Sequence, residues 1–273
     1  MAQPPIRLGG VPEHFNLPWH LAMDSPALAE VEVEWTDQLG GTGEMLAGLD
    51  DGSLDLVSIL TEGMVSAIAR GLGAMIIQVY VASPLQWGIF VPAASDLQSV
   101  DQLEGRPIAV SRLNSGSHLM AFVLSNNHGW RIDEDQFVVT GGLDGARQSF
   151  AAGESEVFLW DRFMTRPFVD SGEFRQVGVI PTPWPSFVFA ATIEALTGRT
   201  TEVGRIVDAV VAEAVGLHDR PCIVELISSR YGLRKDTTQD WLDSTTFAPR
   251  QAVDPEMDDE VLATLEEAGF LTR

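Results

Sequence analysis

The sequence predicts an α/β fold, and three observations predict it. Short apolar runs of strand length alternate with helix-period stretches from residue 6 onward. Glycine and proline clusters separate them. The alternation starts afresh after Ser83-Pro84-Leu85 and comes back to the first set after Pro181-Thr182-Pro183-Trp184-Pro185. Alternating strand, loop and helix units build a largely parallel sheet with helices packed on it.

In order along the chain, Ile6-Leu8 is a first strand, followed by a loop from Gly9 to Asn16. A second strand at Val31-Trp35 alternates apolar and acidic residues and stops at Gly40-Gly41-Thr42-Gly43. The next helix puts Met45, Leu46 and Leu49 on one side and ends at Asp51-Gly52, where glycine suits a left-handed cap. Leu54 to Leu60 is a buried strand. Thr61 then opens a helix in which Met64, Val65, Ile68 and Ala69 recur at three and four residues, stopped by Gly71 and Gly73. Met75 to Val81 is the fourth strand.

The second set opens at Trp87-Gly88-Ile89-Phe90-Val91. It continues with a strand at Ile108-Val110, a helix from Ser117, a strand at Phe137-Val139, a helix from Ala146 to Ala152, and a strand at Val157-Trp160. Phe187-Val188-Phe189 supplies a returning strand. Val203, Ile206, Val207, Val210, Val211 and Ala214 form a 3.6-period stripe, Pro221 suits the first turn of the helix after it, and Asp254-Pro255 opens the last helix, which ends at Gly269. The expected division is residues 1–83 plus 187–273 in one lobe and 84–186 in the other.

Composition narrows the function. Asp and Glu number 39 against 17 Lys plus Arg, a formal charge of -22 over 273 residues, which argues against nucleic acid or anionic lipid as partner. The acidic residues are scattered rather than clustered, as on a solvated surface. Lys235 is the only lysine and Cys222 the only cysteine, so no internal disulfide or thiolate metal cluster is available. Cys222 beside Ile223 and Val224 reads as buried packing. Glu13, His14 and His20 lie close together, but Pro12 and Pro18 interrupt any helix and the spacing matches no zinc pattern. No metal and no cofactor are expected. No apolar run is long enough to cross a bilayer. The start, Met-Ala-Gln-Pro-Pro, carries no export signal as written, so the expectation is a cytoplasmic protein, or a periplasmic or extracellular one if a signal was removed.

Three stretches carry a family resemblance. Gly41-Thr42-Gly43-Glu44-Met45 followed by Leu49-Asp50-Asp51-Gly52-Ser53-Leu54-Asp55-Leu56 is the first; Ser99-Val100-Asp101-Gln102-Leu103-Glu104-Gly105-Arg106-Pro107-Ile108-Ala109-Val110 is the second; Ser111-Arg112-Leu113-Asn114-Ser115-Gly116-Ser117-His118 is the third. Together they resemble the type II periplasmic-binding-protein superfamily, in particular its nitrate/sulfonate/taurine solute-binding branch and thiamine-pyrimidine relatives. Phe158-Leu159-Trp160-Asp161 and Pro183-Trp184-Pro185 look like a cytosolic subgroup that bacteria share with fungi. The resemblance covers roughly residues 6 to 230. It implies a two-lobed, Venus-flytrap α/β fold with two hinge crossovers and a ligand held in the cleft between the lobes.

In open α/β sheets, ligands gather at the carboxyl ends of strands, which selects the loops after each strand. Ser115, Gly116 and Ser117 combine free helix amides with two hydroxyls, a cradle for a carboxylate, sulfonate, phosphate or ring acceptor, unless Asn114 or Ser115 is merely an N-cap. Thr42 and Gly43 offer the same geometry. Thr61 caps its helix, donates a hydroxyl, or both, and Glu62 near the positive end of the dipole is placed to accept from a ligand N–H. Glu13 and His14 occupy the loop after the first strand, where the resembled family contacts ligand. Phe15, Trp19, Trp160 and Trp184 are candidate flat walls, with Asp161 beside Trp160, and His118 is a candidate cleft donor.

The primary expectation is reversible binding of a small, planar or anionic organic solute, delivered to an ABC-type permease if the protein is exported. The rival is a metabolic enzyme on the same fold, of thiamine-pyrimidine or menaquinone-pathway type. Resemblance to the pyrimidine synthases implies a pyridoxal phosphate lysine and a cysteine-rich iron motif, which Lys235 in Arg234-Lys235-Asp236-Thr237 and a lone cysteine do not match. A third class is a pure interaction module. No nucleophile elbow, phosphate loop or dinucleotide fingerprint occurs.

Overall fold

A computed structural model describes residues 4–271. Along the chain run β1 (Ile6–Gly10), α1 (Leu17–Met23), β2 (Val33–Asp37), α2 (Thr42–Asp51), β3 (Leu56–Leu60), α3 (Thr61–Ala69) and β4 (Ala74–Val81). Then come β5 (Gln86–Pro92), β6 (Ile108–Val110), α4 (Gly116–His128), β7 (Phe137–Val139), α5 (Leu143–Ala152), β8 (Val157–Asp161), α6 (Arg166–Asp170) and β9 (Phe174–Pro181). The chain ends with β10 (Phe187–Thr192), α7 (Ile193–Gly198), α8 (Thr200–Val215), α9 (Ile223–Tyr231), α10 (Lys235–Ser244) and α11 (Pro255–Glu267). The fold class is α/β, with helices about two sheets.

Contacts divide the chain into two units, residues 1–83 with 184–262 and residues 84–183 with 263–273. The crossings therefore fall at Ser83/Pro84 and Pro183/Trp184, and the last residues group with the second unit, where Phe270 packs on His118 and Phe122. The expected division had kept 263–273 with the first.

The first unit's sheet has the order β2-β1-β3-β10-β4. β1 pairs in parallel with β2 and β3, but β10 runs antiparallel between β3 and β4. The second sheet repeats this plan with the order β7-β6-β8-β5-β9, in which β5 runs antiparallel between β8 and β9. The sheets are thus mixed, not largely parallel. In each, the strand that enters from the other unit's stretch of sequence wedges into the ladder against its neighbours. β9, with Arg175 and Gln176 breaking its apolar pattern, gave no strand signal, and β2 begins two residues later than the alternation suggested.

Burial explains the centre of each sheet. All six residues of β10 are buried, as expected of a strand covered on both faces. Val188 and Ala190 pack with Met45, Val57, Ile59 and Met64, so α2 and α3 close one face. In the second unit Phe90, Phe158 and Phe174 form the corresponding core with Ala109 and Ala146. Gly88 exists to admit the Phe90 ring: a Cβ there would stand 2.2 Å from its Cζ. Cys222 departs from expectation, being exposed in the left-handed region (φ 58°): α9 starts at Ile223, so Pro221 precedes the helix and Cys222 is its N-cap.

Candidate functional site

In the first unit, β3 passes directly into α3, so the first turn of α3 lies at the carboxyl end of a central buried strand. Thr61 was expected to cap this helix. It does not: Leu60 occupies the cap without a side-chain bond, and the Thr61 hydroxyl donates to the Pro185 carbonyl at 2.5 Å while its N–H donates to Ser186 O at 3.2 Å. Those bonds tie the start of α3 to the Trp184-Pro185-Ser186 segment.

The same segment supplies Trp184, whose Nε1–H donates to Glu62 Oε2 at 2.9 Å. Both side chains are buried, Glu62 at 3% and Trp184 at 2% exposure. The second carboxylate oxygen, Oε1, is buried and meets no hydrogen-bond donor of good geometry. Burial pushes the Glu62 carboxyl up from its ordinary value, against its own backbone N–H and the Trp184 bond, both of which favour its charged form.

Thr42 completes this group. It is the first residue of α2, behind Gly41 at φ 65°, a conformation that a side chain disfavours. Its methyl occupies the place a Cβ of residue 63 would take, 2.4 Å away, so Gly63 is what lets the starts of α2 and α3 touch. Gly43 follows in the same first turn, half-buried. Thr42, Gly43, Thr61, Glu62 and Trp184 are therefore gathered where two helices begin.

Glu13 and His14 have different surroundings. His14 is fully buried, 4.4 Å from the Trp241 ring centre and 4.9 Å from Phe15, and both ring nitrogens lack a partner. Burial holds its pKa down at about 3, so the ring is neutral. Glu13, half-buried, precedes this turn without capping it through its side chain. Trp19 is core, edge-on to Phe189, and Phe15 packs on Phe187.

The loop after β1 is fixed by residues that the sequence reading passed over. Ser58 donates to Asn16 Oδ1 at 2.5 Å, and Asn16 Nδ2 donates to Val11 O at 2.7 Å. A polar residue inside an otherwise apolar strand, Leu56-Val57-Ser58-Ile59-Leu60, was the available signal.

In the second unit, Ser115 is the N-cap of α4 and accepts from His118 N–H at 3.4 Å. Ser115 and Ser117 hydroxyls stand 3.0 Å apart, and Ser117 Oγ accepts from Ser111 N–H at 3.0 Å. The hydroxyls expected to face a ligand thus bind one another, and Gly116 between them is half-buried. Asn114, exposed and at φ 61°, donates its N–H to His118 Nδ1 at 3.0 Å. That leaves the proton of the neutral ring on Nε2, which is buried without a partner. Burial among Phe137, Phe122 and Phe270 lowers the His118 pKa to about 4.

Trp160 and Asp161 close β8. Trp160 is half-buried and stacks on Phe158 at 5.3 Å. Asp161 Oδ1 accepts from the amides of Phe163 (2.9 Å) and Met164 (2.8 Å), whereas Oδ2 is buried and unpartnered. Burial raises its pKa to about 6 despite those amides. Its direct partner across the ladder is Trp87, whose Nε1 is likewise buried and unpartnered, a residue not singled out from the sequence. Among the described residues no group of three or more His, Cys, Asp or Glu could hold a metal ion, and no helix is long and apolar enough to cross a membrane.

Comparison with known proteins places this architecture. Residues 87–180 match the model of the Ca3427-like periplasmic-binding-protein family. The CA3427 gene product of Candida albicans, described as defining a family with the generic periplasmic-binding-protein fold, is 26% identical over 99% of this chain and 92% of its own, with a TM-score of 0.90. The alkanesulfonate-binding protein SsuA of Xanthomonas axonopodis pv. citri, bound to MOPS, is 19% identical over 100% and 96%, with a TM-score of 0.81. A ligand-binding component of an ABC-type import system from Staphylococcus aureus, with zinc bound, is 12% identical over 98% and 93%, with a TM-score of 0.76. None of the curated proteins compared matches the chain. The two mixed sheets, their strand orders and these likenesses agree that the chain has the periplasmic-binding-protein fold.

Proposed function

We propose that this chain binds a small organic solute reversibly and releases it unchanged. One observation carries the reading: Thr42, Thr61, Glu62 and Trp184, from three distant stretches of sequence, are held together at the starts of α2 and α3, and Glu62 Oε1 among them is a buried carboxylate oxygen without a geometric partner. Helix starts at the carboxyl ends of strands are where α/β proteins place ligands. The solute-binding relatives of the same fold support the reading.

Two chemistries are compatible with the candidate residues. An anion suits the serine-rich start of α4, and a donor-bearing planar molecule suits Glu62 and Trp184. As a cytoplasmic protein the chain is a carrier or sensor; in an exported form it delivers the solute to an ABC-type permease. Heating the purified protein with a metabolite panel tests the proposal. A ligand at 100 times its Kd stabilises by about 2.7 kcal/mol, and mass spectrometry should recover it unaltered. Conversion of the ligand, or no stabilisation by any member of the panel, overturns it.

A further inference from the structure

We infer that the solute donates an N–H to Glu62 Oε1, which makes it an amine, amidine or aminoheterocycle and not a plain sulfonate. The inference rests on the solute-binding reading and deepens it.

The side-chain donors of Thr61 and Trp184 beside Glu62 are committed. Thr61 Oγ1 is spent on the Pro185 carbonyl and Trp184 Nε1 on Glu62 Oε2. What is left is one oxygen on a side chain that is only 3% exposed. A buried carboxylate oxygen without a donor is costly, and a native site keeps one where something else completes it.

The protonation state decides which partner completes it. An ionised Glu62 is an acceptor at both oxygens and needs a donor; a protonated one, with Oε2 already receiving the indole N–H, would carry its proton on Oε1 and need an acceptor. Two features favour the ionised form when ligand is bound. Glu62 stands in the first turn of α3, where the helix dipole stabilises negative charge, and the Trp184 bond does the same. Burial opposes it, and a cationic or strongly polarised N–H on the ligand removes that opposition by pairing the charge. The surrounding field points the same way: a net charge of -22 raises the local concentration of cations and repels sulfonates.

The test uses the whole chain and four probes in calorimetric titrations: benzamidine against benzenesulfonate, a ring of one shape with opposite polarity, and 2-aminopyrimidine against 2-methylpyrimidine, which differ by N–H₂ for CH₃. The wild type should bind the N–H-bearing member of at least one pair about 10- to 100-fold more tightly than its counterpart. Glu62→Gln keeps shape and can still accept from Trp184, but presents N–H₂ at the Oε1 position, so binding of that probe should fall at least tenfold. If that variant fails to fold, the wild-type comparison within each pair still decides. Tighter binding of benzenesulfonate, or equal binding within both pairs, or a Glu62→Gln protein that binds as well as wild type, overturns the inference while leaving solute binding intact. Failure of all four probes at millimolar concentration, with a metabolite from the panel still binding, overturns the donor chemistry alone; failure of panel and probes together overturns both.

Discussion

Replacing Gly63 by alanine should destabilise the protein, yet the same replacement should stabilise it once Thr42 has become serine. An alanine Cβ at position 63 would lie 2.4 Å from Thr42 Cγ2, well inside the 3.5–4.0 Å at which carbon atoms rest. Thr42 is β-branched and opens a helix, so it has little rotamer freedom with which to retreat. Overpacking of this kind costs about 1–3 kcal/mol. Against it stands the helix propensity gained on replacing glycine by alanine, up to about 1 kcal/mol. Thr42→Ser deletes the offending methyl and leaves Oγ1 at 4.0 Å, an ordinary contact, so only the propensity gain remains. The two substitutions should therefore couple by about 1–3 kcal/mol, the overpacking cost itself, with a reversal of sign. Urea denaturation of the wild type, both single variants and the double variant measures this, read on the transition of the first unit. Additive effects within about 0.5 kcal/mol would show that the starts of α2 and α3 do not touch as described, and the grouping of Thr42 with Glu62 would go with them.

Three further outcomes are expected. Asp161, raised to about 6 by burial, holds a proton in the folded state that the unfolded chain releases near pH 4, so its contribution to stability declines as pH rises from about 4 to 6; Asp161→Asn should gain about 2–3 kcal/mol on wild type between pH 4 and pH 7, and a pH-independent difference would contradict the burial of Oδ2. His14, held near 3, has the opposite sign, because the unfolded chain takes up a proton that the folded one refuses and stability is lost as pH falls from about 6.5 towards 3; His14→Leu should be roughly neutral at pH 7 and about 3 kcal/mol more stable than wild type at pH 4, which acid titration of the unfolding midpoint will show or refute. Trp184→Phe strips the buried Glu62 Oε2 of its indole donor, a loss of about 1–3 kcal/mol by denaturation that a surface tryptophan would not produce.

The individual elements were legible because their signals are local. Met64, Val65 and Ile68 announce a helix by spacing, and the helix does run from Thr61 to Ala69. The direction of β10 and β5 in their ladders is not a local property: Phe187 pairs with Leu60 and Val81 from more than a hundred residues away, and an apolar run reads the same whichever way it is paired. The site divides along the same line. Glu62 was readable as an acidic residue in a first turn, but the bond that fixes it spans 122 positions to Trp184. Thr61 was a sound capping residue by type and was claimed instead by Pro185. His14 looked available because the sequence does not show that Trp241 and Tyr231 will close over it.

The wedged antiparallel strand has a bearing on how the protein is made. β10 lies inside the first sheet, between β3 and β4, but is translated only after all of β5 to β9. A nascent chain that has emerged as far as β4 holds two strands, β3 and β4, whose inner edges have nothing to pair with, and β3 is almost wholly apolar. Residues 84–183, by contrast, hold all five strands of their own sheet in one uninterrupted stretch. On the ribosome the later-made half should therefore mature first. The earlier-made half must wait with sticky edges exposed, and this interval is when a chaperone has most to protect.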